Sequence, residues 1–270
     1  MVSDIRIKLK EIPYYIKSRF SLLAVALNGK ADSSEAYLKS IKGKYKGQRC
    51  FVLGNGPSLT PSDLDKLKDE VTFASNRIYK IFEKTDWRPT FFGMIDEDVA
   101  ESKGVIEGIN SFDCEKKFAL QEGYYIFRKI RGDVCFIHSW YERKYLDDPG
   151  FSEDLVKGVF CIATVSYMLI QLARYMGFDE IYLLGMDNKY AYSRLRDGSI
   201  VKNEGIANYF GEKGIKMPNP KNAVDTWELD IAYEYAEKYS RNNGFRIFNA
   251  TRGGFLDKFE RVNLDDVLKR

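Results

Sequence analysis

Asn55, Asn76, Asp96, Asp187 and Asn249 each follow directly on an apolar run that reads as a β-strand. In a parallel sheet all five would stand at the carboxyl edge of the strands, the rim on which open α/β sheets hold ligands. An amide can both donate and accept, so such a rim suits a base, a ribose or a phosphate and needs no metal. Asn and Asp also favour turns for purely local reasons, so the five in register mean more than any one alone. The first lies in the loop Gly54-Asn55-Gly56-Pro57-Ser58, which ends the run at residues 50–53. Glycines at 54 and 56 let the backbone turn tightly and approach a ligand with no Cβ in the way. The same loop also fits an ordinary strand-to-helix turn.

These residues need a scaffold, and the apolar periodicity supplies one. Strands are expected at 50–53, 71–75, 90–95, 117–120, 134–137, 180–184 and 246–249. Helical spacing appears at 61–68, with Thr60 or Ser62 as cap, at 163–176, closed by Gly177, and at 224–242; residues 34–46 read as a polar helix or linker. Strands alternating with helices predict a Rossmann-like α/β fold, a mostly parallel sheet with helices on both faces. The chain divides into a helical extension at 1–46 and a nucleotide-binding domain at 47–270. Residues 188–223 have little apolar periodicity and carry Arg194, Arg196 and Lys202, which predicts either a lid-like insertion over a phosphate or a solvated loop. Arg252, followed by Gly253 and Gly254, is a candidate anion contact at the end of the last strand.

Composition narrows the classes further. The 270 residues carry 42 basic and 39 acidic side chains, a balance that argues against nucleic acid as partner. Four scattered cysteines and a single histidine, His138, give no zinc-ligand spacing and fit reduced thiols in a cytoplasmic protein. No apolar run is long enough to span a membrane, and the amino terminus lacks a signal-peptide pattern. Residues 3–27 nevertheless interleave Arg6, Lys8, Lys10, Lys17 and Arg19 with apolar side chains. Such a segment suits the surface of an anionic membrane. The alternative is a helix packed on the domain, or on a partner subunit in a homo-oligomer, with Leu22 to Leu27 buried.

GNGPSL at 54–59, SNR at 75–77, TVSYM at 164–168 and GFDEIYLLGMD at 177–187 together resemble the small, GT-A-like bacterial sialyltransferases. Extended through NATRGG at 249–254, the set is more similar still to bacterial surface-polysaccharide proteins grouped with archaeal hydroxymethylpterin diphosphokinase, over roughly residues 47 to 260. The sialyltransferase resemblance implies that Asn55 and Asn76 hold the phosphate and sugar portion of a cytidine monophosphate donor. Gly54, Gly56 and Ser58, with Pro57 between them, would form the donor loop, and Arg77 follows Asn76. Thr164 opens the helix that faces the donor, with Ser166 in its first turn, and Asp187 matches an aspartate after a later strand. The tyrosines that steady the departing phosphate in that family have displaced counterparts here, Tyr190 and Tyr192. Its lid histidine, the general base, is replaced by Tyr209, and an ordinary phenol, with a pKa near 10, is a weak base at neutral pH. Asp187, Asp96 and His138 are the remaining candidates for the base.

Two enzyme classes and one binding class follow. The first is a glycosyltransferase taking a nucleotide-activated sugar, of the CMP-nonulosonic acid type, to a glycan acceptor in surface-polysaccharide synthesis at the inner membrane face, with neither metal nor cofactor. The second is a magnesium-dependent pyrophosphokinase of the hydroxymethylpterin type, for which Asp96-Glu97-Asp98 is the carboxylate cluster. The third is a non-catalytic nucleotide-binding scaffold.

Overall fold

The computed structural model describes residues 16–140, 149–210 and 223–270. Thirteen strands occur among them: β1 (Arg49–Leu53), β2 (Thr72–Ser75), β3 (Phe91–Met94), β4 (Lys116–Leu120), β5 (Val134–Ile137), β6 (Ser139–Trp140), β7 (Val159–Phe160), β8 (Glu180–Leu184), β9 (Tyr192–Arg194), β10 (Ile200–Lys202), β11 (Val224–Asp225), β12 (Arg246–Asn249) and β13 (Glu260–Arg261). Eight of them form one sheet in the order β13-β12-β8-β1-β2-β3-β4-β5, with every pair parallel. The chain builds outward from β1 to β5, then crosses back to β8 and builds the other way. The order therefore reverses between β1 and β8, and the switch point of a doubly wound sheet lies there.

The central strands are apolar because both of their faces are covered. Phe51 of β1, Tyr182 of β8 and Phe248 of β12 are register partners, and their rings stack with centroids 5.3 and 5.2 Å apart. The helices are α1 (residues 16–27), α2 (Lys30–Ile41), α3 (Pro61–Asp65), α4 (Glu97–Glu101), α5 (Val105–Ile109), α6 (Tyr124–Phe127), α7 (Val165–Met176), α8 (Thr226–Asn242) and α9 (Leu264–Val267), with a 3-10 helix at Ile78–Lys84. Helix α7 is buried along almost its whole length; the Thr164 side chain caps its start, and Gly177, at φ 100°, ends it. Helix α2 packs on the edge strand β5, where Ser34 Oγ accepts from Phe136 N at 2.8 Å. The described part of the amino-terminal extension thus covers an otherwise open sheet edge.

The strands expected at 134–137, 180–184 and 246–249 have those bounds in the structure. The helix expected over 224–242 starts two residues later, after the short strand β11. In the described part of 188–223, β10 pairs antiparallel with β9, and β11, just beyond that stretch, pairs parallel with β9. Arg194 is paired with Asp225 at 3.0 Å across that small sheet. Period-two patterning over three-residue strands is too short to be read in sequence. Leu22 to Leu27 do not form the buried run expected of a packed helix, because Leu23 and Leu27 are exposed.

Candidate functional site

A cleft opens at the switch point, between the loop after β1, the loop after β8 and the amino end of α7. About 630 Å³ of empty space lies in it, open solvent included. Gly54, Asn55 and Gly56 line one wall, Gly185 to Tyr190 another, and Thr164, Val165 and Ser166 the floor.

The glycines of the first loop have a tertiary cause. A Cβ on Gly54 would overlap the Gly185 carbonyl, and one on Gly56 would overlap the Asp187 carboxylate. They let two loops of the protein approach one another, where the sequence suggested an approach to a ligand. The contact is then locked by hydrogen bonds: Gly56 N donates to Gly185 O at 3.0 Å, and Ser58 Oγ donates to Asp187 Oδ2 at 2.7 Å.

Three amide oxygens in this cleft lack a partner. Asn55 Oδ1, Asn76 Oδ1 and Asn188 Oδ1 are buried and accept no hydrogen bond, although Asn55 Nδ2 donates to Ser75 O at 3.1 Å and Asn188 Nδ2 to Asp230 Oδ1 at 3.2 Å. Each orphaned acceptor carries a desolvation cost of about 1–3 kcal/mol, which a donor from a ligand would offset. Backbone strain gathers at the same place. Among the described residues, positive φ outside glycine occurs at Asn76 (52°), Ala163 (56°) and Asn188 (50°); two line the cleft and the third precedes the α7 cap. Left-handed backbone outside glycine clusters at ligand sites, although asparagine tolerates it better than other side chains do.

Lys189 is the basic side chain in the lining and Asp187 the acidic one. Thr164 Oγ1 accepts from Ser166 N at 3.2 Å, leaving the positive end of the twelve-residue α7 dipole directed at the cavity. Tyr190 and Tyr233 also line it, and burial pushes both phenols above their ordinary pKa, so at neutral pH they are hydrogen-bond donors. Tyr209 closes one side, its ring 5.6 Å from the Arg77 guanidinium and 5.9 Å from Lys80 Nζ. Phe210 N donates to Asn55 O at 3.0 Å, which ties the segment beyond β10 to the first loop.

Of the residues singled out in sequence, Gly54, Asn55, Gly56, Asn76, Thr164, Ser166, Asp187, Tyr190 and Tyr209 line this cleft. Ser58 supports it through Asp187, and Arg77 stacks beside it with a buried, unpartnered Nε. Pro57 faces a neighbouring groove instead. Asp96 caps α4, accepting from Val99 N at 2.9 Å; its carboxyl is raised by desolvation from surrounding protein, although the side chain is open to water. It follows β3, two strands from β1 and hence about 10 Å from the switch point. His138 follows the edge strand β5, about 19 Å away by the same spacing, and pairs with Glu122. Tyr192 is buried with Ala191 and Ala223.

Arg252 is not aimed at the cleft: its guanidinium binds the buried Asp63 carboxylate at 2.5 Å and the Ser58 carbonyl at 3.2 Å. Asn249 is wholly buried and satisfied, donating to Leu256 O and accepting from Thr251 N at 2.8 and 2.9 Å. Both shape the TRGG turn. Asn188 and Tyr233 were missed in sequence. Asn188 directly follows Asp187 and carries the same strand-end signal, whereas Tyr233 reaches the cleft only because α8 packs on α7.

A doubly wound parallel sheet with an amide-lined cleft at its switch point defines a Rossmann-like α/β protein. The chain belongs to the MptE-like family, described as 6-hydroxymethylpterin diphosphokinase MptE-like, which matches residues 29–193, more than half of it. Its fold is similar to that of a glycosyltransferase of known structure. It superposes on the MAf glycosyltransferase from Magnetospirillum magneticum AMB-1 with a TM-score of 0.53 and 16% identity, over 87% of this chain and 38% of that one. The chain thus spans well under half of that enzyme's length. It is similar also to the sialyltransferase CstII from Campylobacter jejuni in complex with a substrate analogue, cytidine-5′-monophosphate, at TM-score 0.43 and 17% identity, over 80% of this chain and 85% of that one. None of the curated proteins matches the chain.

Proposed function

We propose that the protein is a glycosyltransferase that moves a sugar from a nucleotide donor, of the CMP-nonulosonic acid type, to a hydroxyl of a surface-glycan acceptor. The observation that carries this reading is that Asn55, Asn76 and Asn188, which line the cavity together with the amino end of α7, each have a buried amide oxygen without a partner. Neutral acceptors suit the hydroxyl and amino groups of a nucleoside, and the helix end suits a single phosphate. In the reaction the acceptor oxygen forms the new bond to the anomeric carbon, and the bond from that carbon to the phosphate oxygen breaks. The electron pair leaves with the nucleotide. Tyr190, Tyr233 and the α7 dipole would stabilise the charge that develops there. Asp187 is the carboxylate in the cleft and the candidate to take the acceptor proton; Ser58 fixes its orientation.

The family description favours a second reading, pyrophosphoryl transfer from adenosine triphosphate with magnesium. That chemistry needs carboxylates on the metal, and two of the three expected ones have other tasks: Asp96 caps α4 and Glu97 accepts from Tyr125 OH at 2.8 Å.

The deciding variant is Asn76→Gly, because glycine adopts φ 52° without strain and only the amide is lost. Cytidine monophosphate is expected to raise the melting temperature of the wild type with or without magnesium, and the shift is expected to fall to near zero in the variant, at a basal stability no lower than that of wild type. A shift given only by adenosine triphosphate with magnesium would overturn the glycosyltransferase reading, and no shift with any nucleotide would overturn both enzyme readings.

A further inference from the structure

Helix α1 presents a row of large apolar side chains to solvent. Ile16, Phe20, Leu23 and Leu27 are 49, 69, 55 and 78% exposed, while Ser21 and Val25 are buried against the domain. At about 100° per residue the four exposed side chains fall within roughly 60° of arc, Ser21 and Val25 lie on the opposite side, and Lys17 and Arg19 stand on the two shoulders. From residue 12 to residue 31 the chain carries Lys17, Arg19 and Lys30 and no acidic side chain. An apolar stripe between basic shoulders is the arrangement of a helix that lies in the plane of a bilayer surface, its apolar face among the acyl chains and its cations at the headgroups. No helix of the described residues is long and apolar enough to cross a membrane.

We propose that α1 docks the protein on an anionic lipid surface. A second copy of the chain is a poorer occupant of the stripe. Four side chains of this size can hide on the order of 400 Å², about half of the ~800 Å² per partner in a stable interface. The basic shoulders of two such helices would also repel, whereas anionic headgroups neutralise them. The helix lies beside the edge at which the cleft opens: Lys17 Nζ sits 5.1 Å from the Tyr125 ring, and the Tyr125 hydroxyl donates to Glu97, which follows β3. Docking through α1 therefore holds the carboxyl edge of the sheet near the lipid, within reach of a substrate carried there. The inference stands on the stripe and does not depend on which donor the cleft takes.

Flotation of the full chain with phosphatidylglycerol-rich vesicles, and with pure phosphatidylcholine vesicles, is the test. Binding is expected to the first and to be at least about tenfold weaker to the second, and to weaken as salt rises. The variant Phe20→Ser/Leu23→Ser/Leu27→Ser removes the stripe without touching buried side chains, and is expected to lose vesicle binding at an unchanged melting temperature. Lys17→Gln/Arg19→Gln is expected to lose the preference for anionic lipid. Wild type that ignores anionic vesicles, or a stripe variant that still floats with them, would overturn the proposal. So would sedimentation showing a dimer that the stripe variant dissolves, because a second copy would then be the occupant.

Discussion

His138 Nδ1 lies 2.6 Å from Glu122 Oε1, and the same carboxylate accepts from Ser139 N at 3.1 Å. The hydrogen bond to Glu122 raises the imidazole above its ordinary value, against an opposing effect of burial. A raised cationic group stabilises the fold fully below its unfolded pKa of about 6.5, and that contribution disappears as pH climbs through the higher folded value. His138→Gln is therefore expected to be less stable than wild type at pH 6, with the gap closing toward alkaline pH in urea titrations. Because the chain has one histidine, its proton resonance reports the folded value without assignment, and a midpoint at or below 6.5 would refute the pairing. The effect is small, under about 1 kcal/mol, since the imidazole is 40% exposed. At the same scale, Gly54 and Gly56 show how one residue type answers two different demands. The sequence signals only that no Cβ is tolerated; the source of the crowding is the Gly185–Asp187 segment.

Helix α3 shows what the elements around the cleft require. Thr60 and Asp63 form a reciprocal capping box: Thr60 Oγ1 accepts from Asp63 N, and Asp63 Oδ2 accepts from Thr60 N at 3.0 Å. The Asp63 carboxylate is 4% exposed and its counter-ion is Arg252, itself 62% exposed, reached from the turn after β12. One ion pair thus joins the start of α3 to the end of the last long strand, and the Ser58 carbonyl shares the guanidinium. Arg252→Ala is expected to cost about 1–2 kcal/mol in urea unfolding, less than a fully buried pair because water screens the arginine. Nucleotide-induced thermal shifts are expected to survive the substitution, because Arg252 does not line the cleft. A large loss of nucleotide binding at unchanged stability would restore the anion-contact role that the sequence suggested.

For the molecule as a whole, the core extends through both faces of the sheet and takes the cysteines with it. Cys50, Cys135 and Cys161 are buried, and burial raises all three thiols, Cys135 to about 12; Cys114, half-buried, is pushed up to about 11. Thiolates react and thiols do not, so a disulfide reagent at pH 8 is expected to label the folded protein slowly, Cys114 first, and all four sites rapidly in urea. Rapid labelling of more than one thiol in the native protein would show that the core opens. The sequence by itself determined the parallel α/β architecture, because a strand buried on both faces must be continuously apolar and must end where polar turn residues begin; 180–184, with Asp187 just beyond, is the clearest case. It also placed Asn55, Asn76, Thr164 and Asp187 at the strand and helix ends that meet in the cleft, because position along a strand fixes which edge a residue reaches. Only the tertiary structure decided the rest. Asn249, Arg252 and His138 carry the same local signals, yet one is satisfied in the core, one is paired with Asp63 and one, just past the far edge strand, is paired with Glu122. Strand order, and so distance from the switch point, is set by which elements pack together across the chain, and a local sequence pattern holds no record of that.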